Sequence, residues 1–292
     1  MSRRALALFI ITGFLWGIPY LLIKVAVGDA QGFSPAIVVF GRVLIGCLIL
    51  IPLAIRAGSL SSALHGIKFV LPYAILEMIG PWILIATAEK KISSGLAGLL
   101  IASVPIWATI FASFAGDKTV WHHKRLMGMV IGFLGVIAVV GIETLKGTSN
   151  PLAVSMVLLA AVGYAYAVTM VTTKLPGVSG IAINGVAMGL TAIFYLPFAI
   201  AQWPSHAIKS SAIFSVIGLG VFSTGLAFVL FFIVMAEIGP ARASLVTYLN
   251  TAFAVVLGVL ILHEPLTTGI IIGLPMVLIG SYLASRKERV KI

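Results

Sequence analysis

The sequence predicts an all-α integral membrane protein built from two similar halves. Of its 292 residues, 61% are hydrophobic and only 9% are charged, whereas soluble domains have about 45–50% apolar and about 25% charged residues. The apolar residues fall into ten runs, and a helix of about 20 apolar residues crosses the hydrocarbon core of a bilayer. The connections between the runs are short, which excludes a separate soluble catalytic domain.

Turn and cap residues separate the ten apolar runs. The predicted helices of the first half are 5–24, 34–55, 69–88, 94–115 and 125–142. Those of the second half are 151–172, 180–200, 211–235, 241–262 and 268–285. We therefore divide the chain into a first five-helix repeat, residues 1–146, and a second five-helix repeat, residues 147–292.

The two halves carry the same hairpin of membrane spans. Residues 95–108 align with residues 241–254 at an offset of 146 positions, and the span that follows repeats at an offset of 141 positions. Five spans are an odd number, so the second half is expected to be inverted relative to the first. Inverted repeats are typical of solute transporters that alternate access around a site near the bilayer midplane.

The distribution of basic residues predicts the orientation of the helices. Of nineteen Lys and Arg residues, thirteen fall on one side of the predicted membrane and five on the other, with Arg42 inside a span. By the positive-inside rule both termini are cytoplasmic, which agrees with an even number of helices. The Lys and Arg residues are scattered singly between apolar spans, so the net charge of +11 does not indicate a nucleic-acid partner.

Several motifs resemble those of a known transporter family. Trp16-Gly17 in the first predicted helix, Ser34-Pro35 followed by Arg42 in the second, and the doubled hairpin are similar to the EamA family of the drug/metabolite transporter superfamily. The resemblance covers nearly the whole chain, which looks most like YddG-type exporters of amino acids, including aromatic ones. It implies a multi-pass protein of the bacterial inner membrane, with a central cavity lined mainly by helices 1, 3, 4, 6, 8 and 9.

Aromatic and polar side chains near mid-depth are candidates for the lining of this cavity. Trp16 and Tyr20 are four residues apart and share a helix face, and Pro19 between them bends the helix. The alternative is that such residues pack between helices or mark the membrane interface. The candidate substrate-binding residues are Trp16, Tyr20, Glu77, Trp82, Ser103, Trp107, Tyr164, Thr247, Tyr248 and Asn250.

Two ionisable residues lie well inside predicted spans, where a charge is costly and marks a candidate functional site. Arg42 and Glu77 are each about eight residues into adjacent antiparallel helices, which are entered from opposite faces. At a rise of about 1.5 Å per residue they lie within about 10 Å of each other in depth, a gap that their long side chains can close. One interpretation is a structural ion pair between them. The other is that Glu77 faces the cavity and binds a substrate ammonium group or a proton. By contrast, Glu89 and Glu237 lie at helix ends, where their side chains are expected to reach the headgroups.

No motif for ATP binding, zinc hydrolysis or a nucleophilic serine occurs in the sequence. We therefore expect a transporter rather than an enzyme or receptor, with no cofactor and no metal, driven by the gradient of the solute or of an ion. Only Glu77 is an obvious proton carrier inside a predicted span, and this scarcity favours facilitated movement down the solute gradient over proton antiport. A drug or nucleotide-sugar carrier is the alternative within transport.

The expected partners are a small solute and the lipid bilayer. Glycines four residues apart occur in the fifth and tenth predicted helices, at Gly128 and Gly132 and at Gly269 and Gly273. This spacing permits close approach of two helix backbones. It predicts either packing within a monomer or the seam of a homodimer through these two helices.

Overall fold

The computed structural model describes residues 2–28, 30–114, 116, 122–145, 150–239 and 243–285. Within these ranges every regular element is a helix. Eight helices are long and apolar enough to cross a membrane. They are α1 (Arg3–Val27), α2 (Pro35–Arg56), α3 (Ile67–Ala88), α4 (Ser94–Phe114), α5 (His123–Leu145), α6 (Pro151–Lys174), α7 (Gly180–Ala201) and α8 (Ser210–Ile238). Two shorter apolar helices follow, α9 (Val246–Ile261) and α10 (Thr268–Ser285).

Each of the ten predicted apolar runs therefore coincides with a helix. A short additional helix, Leu60–His65, precedes α3 and was not expected. Some charged residues on which the predicted orientation depends, among them Lys118, Lys146 and Arg242, lie outside the described residues. The number of membrane crossings and the orientation of the termini stay predictions.

Local sequence explains where several helices begin. The Ser34 side chain accepts a hydrogen bond from the backbone N–H of Ile37, and Pro35 at the next position has a φ angle already suited to a first turn. Ser93 caps α4 and Asn150 caps α6 in the same way. Because the first N–H groups of a helix have no partner inside it, these caps fix the helix starts.

The packing between helices follows the same pattern in both halves. Helix α1 packs against α9 as α6 packs against α4, and α1 contacts α8 as α6 contacts α3. Helix α2 packs on α7, and α5 packs on α10. These particular pairings are therefore unchanged when each helix is exchanged for its counterpart five helices along the chain.

Three of the helices are interrupted near the middle of the span. Helix α3 contains a π-helical segment, Ile75–Ile79, and α8 contains one over Leu219–Leu226. Helix α4 is broken between its α-helical parts Ser94–Ile101 and Val104–Phe114. The π-helical segments of α3 and α8 lie at equivalent positions of the two halves. Such segments are uncommon and often occur at functional sites.

Helices α5 and α10 are held together by close backbone contact at glycines. A Cβ atom added to Gly128 would lie 2.5 Å from the backbone nitrogen of Ala284, and one added to Gly280 would collide with the backbone of Gly132. A Cβ atom added to Gly273 would collide with the Val139 side chain and would lie 2.9 Å from the carbonyl oxygen of Gly135 in α5. The predicted glycine spacing therefore serves packing within the chain.

We expect Gly280→Ala to destabilise the protein, because its new methyl group meets backbone rather than a movable side chain. Overpacking of this kind costs about 1–3 kcal/mol. Thermal denaturation in detergent measures the effect as a lower melting temperature. Gly141→Ala in α5 is the matched control, because no described atom outside its own helix lies within 4 Å of the added Cβ. Equal melting temperatures for the two variants would contradict the packing described for α5 and α10.

Candidate solute-binding site

The buried cation Arg42 joins three helices at the centre of the molecule. Its Nε atom donates a hydrogen bond of 2.8 Å to Oγ1 of Thr224 in the π-helical segment of α8. Its Cζ atom lies 3.7 Å from the ring centroid of Trp82 in α3. A guanidinium over an indole face is stabilised by the negative charge density of the ring. Arg42 thus links α2 to both helices that carry a π-helical segment.

The carboxyl group of Glu77 lies in the π-helical segment of α3, near Arg42 but not bonded to it. The described residues contain no salt bridge between the two side chains. The electrostatic influence of Arg42 nevertheless reaches Glu77. Glu77 is half-buried, and its Oε2 atom is enclosed without a hydrogen-bond partner in the described part of the chain. The enclosed Oε2 atom of Glu77 therefore remains available as a hydrogen-bond acceptor.

Two tyrosine side chains lie near Arg42 and Glu77. Tyr20 of α1 and Tyr164 of α6 both interact electrostatically with Arg42, and Tyr164 also interacts with Glu77. The position of Tyr164 depends on its neighbour Gly163, where an added Cβ would lie 2.7 Å from the carbonyl oxygen of Leu76. The lack of a side chain at Gly163 lets α6 approach the π-helical segment of α3, which brings Tyr164 to the site.

Trp16 and Tyr20 share a face of α1 as the sequence predicts, but their contacts differ. Trp16 is half-buried and packs on α8, with its ring centroid 5.6 Å from that of Phe228 and 4.6 Å from that of Phe231. Tyr20 is 7% exposed and lies toward Arg42. The structure therefore brings Tyr20 to the central charges and places Trp16 at the contact of α1 with α8.

The candidates in α4 make contacts that do not include Arg42 or Glu77. The Ser103 hydroxyl is buried at the break in α4 and donates a hydrogen bond of 2.6 Å to the carbonyl oxygen of Leu100. Trp107 meets Phe133 of α5 edge to face, with ring centroids 5.3 Å apart. Its Nε1 atom is buried with no partner among the residues described. Trp107 thus contacts α5.

The candidates in α9 also contact residues other than Arg42 and Glu77. Thr247 donates to the carbonyl oxygen of Ser244, and the ring of Tyr248 lies 6.4 Å from that of Tyr282 in α10. Asn250 is buried, and its side-chain oxygen accepts a hydrogen bond of 3.2 Å from Thr251. None of these contacts involves the central charges, which the structure surrounds with residues of α1, α2, α3, α6 and α8.

Glu89 is a buried ionisable residue that the sequence did not reveal. Its exposure is 0%, so the expectation that this side chain reaches the headgroups was wrong. Lys24, at the end of α1, donates hydrogen bonds to the backbone carbonyls of Glu89 and Ile92, at 2.6 and 2.8 Å. In sequence Glu89 resembles Glu237, which is exposed and pairs with Arg4 at 3.4 Å. Both lie at the end of a helix, so no local signal distinguishes them.

A second carboxylate at the same end of the molecule, that of Glu264, caps the N-terminus of α4. The backbone N–H and hydroxyl of Ser94 donate hydrogen bonds to Glu264, at 2.8 and 2.7 Å, and the N–H of Gly95 donates another at 3.2 Å. A carboxylate at a helix N-terminus satisfies free N–H groups and complements the helix dipole. Glu264 therefore attaches the connection between α9 and α10 to the α3–α4 hairpin.

Apolar helices of spanning length around a buried cation and carboxyl group define a multi-pass integral membrane protein of the transporter class. The EamA-like transporter family matches residues 3–141 and again residues 151–286, and the chain belongs to this family.

Relatives and a solved structure extend this finding. The chain is 26% identical over 274 residues to the uncharacterized transporter YoaV of Bacillus subtilis, covering 92% of each chain. It is 27% identical over 284 residues to the uncharacterized inner membrane transporter YedA of Escherichia coli, covering 94% of this chain and 90% of YedA. One crystal structure, of a protein with 18% identity, superposes with a TM-score of 0.67 over 97% of this chain and 98% of that chain. That likeness shows a shared fold.

Thr224→Val is expected to destabilise the protein, because it removes the acceptor for the buried Arg42 Nε while preserving shape. Hydrogen bonds to charged groups contribute about 1.5–3 kcal/mol. Thermal denaturation in detergent should show a melting temperature several degrees below that of the unmodified protein. Thr191→Val is the matched control, since the buried Thr191 hydroxyl bonds only the Ala187 carbonyl of its own helix. A larger loss in the control would refute the structural importance of the Arg42–Thr224 bond.

Proposed function

We propose that the protein is a secondary transporter that exports amino acids, including aromatic ones, or similar small metabolites from the cytoplasm. The observation that carries this proposal is the juxtaposition of Arg42 and Glu77 without a salt bridge between them, beside aromatic side chains. A buried charge that lacks a direct counter-ion is costly in a membrane span and marks a functional site by default.

Each part of a zwitterionic amino acid has a complementary group in this site. The guanidinium of Arg42 carries N–H donors in addition to the Nε–H bonded to Thr224, and these donors suit a carboxylate. The Glu77 carboxyl suits an ammonium group. The rings of Tyr20, Trp82 and Tyr164 offer apolar faces to the substrate side chain. Trp16, Ser103, Trp107, Thr247, Tyr248 and Asn250 would line the path in conformations in which α4 and α9 move.

Transport by alternating access agrees with the symmetry of the packing. In this proposal ten spans form two inverted five-helix repeats, residues 1–146 and 147–292, with both termini in the cytoplasm. The two halves rock about the central site, and the π-helical segments of α3 and α8 provide local bending. The relationship to YedA supports a bacterial inner membrane as the location.

Nucleotide sugars and sugar phosphates fit the site less well than amino acids do. Multiply charged phosphates call for several basic groups. Within the described part of the structure, Arg42 is the basic residue at the middle of a span, and Lys24 lies in the last turn of α1. The balance of one cation and one carboxyl favours a substrate that carries both charges.

Purified protein in liposomes is expected to exchange labelled amino acids against internal amino acid, and to exchange nucleosides and cationic drugs much less. Counterflow across such a panel measures this directly, with empty liposomes as the baseline. Activity restricted to nucleosides or drugs would overturn the amino acid proposal and leave the assignment to the transporter family intact.

We expect Glu77→Gln to reduce amino acid counterflow about tenfold or more, because the loss of a charge-assisted hydrogen bond weakens binding by about 1.5–3 kcal/mol. The amide preserves shape, so expression and melting temperature should change little. Glu237→Gln is the matched control, because Glu237 lies at the end of α8 and pairs with Arg4. Unchanged counterflow in Glu77→Gln would remove Glu77 from the substrate site.

A further inference from the structure

Glu89 is a carboxyl group enclosed entirely by protein at the end of α3. Its exposure is 0%, and neither side-chain oxygen has a hydrogen-bond partner within the described ranges. A buried ionised carboxylate without hydrogen bonds is strongly disfavoured, and such a group usually takes up a proton instead. This enclosure calls for an explanation that helix capping or lipid contact does not supply.

The groups that face Glu89 do not neutralise it by a direct bond. Helix α1 contributes Tyr20 and Lys24, α2 contributes Arg42, and the connection after α9 contributes Glu264. The Lys24 ammonium bonds backbone carbonyls, and the Glu264 carboxylate bonds the start of α4. The surroundings therefore favour the neutral acid, although positive charge lies close by.

Helix α6 contributes apolar side chains to this end of the α3 packing. Ala153, Val154 and Val157 belong to the same buried cluster as Ala88, the residue before Glu89. Burial raises the pKa of the Glu89 carboxyl well above its usual range, Lys24 opposes this shift, and Glu264 adds to it. In this arrangement, in which Glu89 is fully enclosed, the carboxyl group therefore holds a proton more firmly than an exposed glutamate does.

An open cavity brings water to the residues beside Glu89. This cavity has a volume of about 290 Å³. It is lined by Lys24, Val25, Gly28, Ser211, Leu262 and Glu264. Lys24 and Glu264 thus border both the cavity and Glu89. A small displacement of either residue would connect Glu89 with the aqueous phase.

We propose that Glu89 is a proton-binding site that couples export of the solute to inward movement of a proton. A proton from the cavity binds one carboxylate oxygen of Glu89 to give the neutral acid, which is stable in the closed arrangement. When the halves rock and the central site opens to the opposite side, the same O–H bond breaks and the proton passes to water in that site, toward which Tyr20 and Arg42 lie beside Glu89. This proposal rests on the proposed transport function and replaces the expectation of movement down the solute gradient alone.

Infrared spectroscopy of the purified protein tests proton binding without any substrate. In a pH titration, the carbonyl band of protonated buried carboxyl groups should lose intensity in Glu89→Gln relative to the unmodified protein. Glu237→Gln, which removes a partly exposed carboxylate at the end of a helix, should leave that band unchanged. An identical band and midpoint in Glu89→Gln would overturn the proposal.

A second variant keeps the test decisive if Glu89→Gln does not fold. Lys24→Met removes the cation that opposes protonation of Glu89, so the titration of the same band should move to higher pH. A midpoint that stays in place or moves to lower pH would contradict the assignment.

Transport assays test the coupling itself. In liposomes, a pH gradient should drive amino acid accumulation by the unmodified protein and by Glu237→Gln. In Glu89→Gln the accumulation driven by the pH gradient should be at least about tenfold lower, whereas counterflow at equal pH should be retained. Counterflow by the unmodified protein without any response to the pH gradient would overturn the coupling and leave the proposed function standing. Absence of amino acid counterflow would instead overturn the proposed solute, and the infrared result would then decide the role of Glu89.

Discussion

The structure depends on the burial of one guanidinium group in an otherwise apolar bundle. Arg42 is 9% exposed, and a charge so placed is tolerated only when the protein itself supplies the interactions that water would give. Thr224 supplies a hydrogen bond and Trp82 an aromatic face. Because these partners come from α8 and α3, the requirement of a single side chain fixes the positions of three helices.

The two π-helical segments explain how α3 and α8 meet this requirement. A π-helical turn inserts an extra residue, which changes the direction of the side chains that follow it. Glu77 and Thr224 lie inside these segments, and Trp82 follows the first of them. Outside this centre, α5 and α10 contact each other through glycine backbones. Gly163 permits a similarly close approach beside the site, so glycines allow tight helix packing both at the centre and between α5 and α10.

The two ends of the bundle differ in the burial and partners of their charged side chains. At one end Arg4 pairs with Glu237 at the surface, and at the other Glu89 is enclosed while Lys24 and Glu264 bond backbone groups. Both arrangements occur at the end of α3 or its counterpart α8. The two halves thus share a helix arrangement but differ in their electrostatic environment.

The sequence by itself determined the ten helices, their caps and the family, because the length of an apolar run and the residue at its start are local properties. It also indicated that Arg42 and Glu77 lie near each other. Only the tertiary structure decided that Tyr20 faces the site while Trp107 contacts α5, and that Glu89 is enclosed. The physical reason is that a membrane helix is apolar on nearly every face, so hydrophobic periodicity cannot show which face is inside. That choice depends on where neighbouring helices approach, and those contacts join residues far apart in the chain.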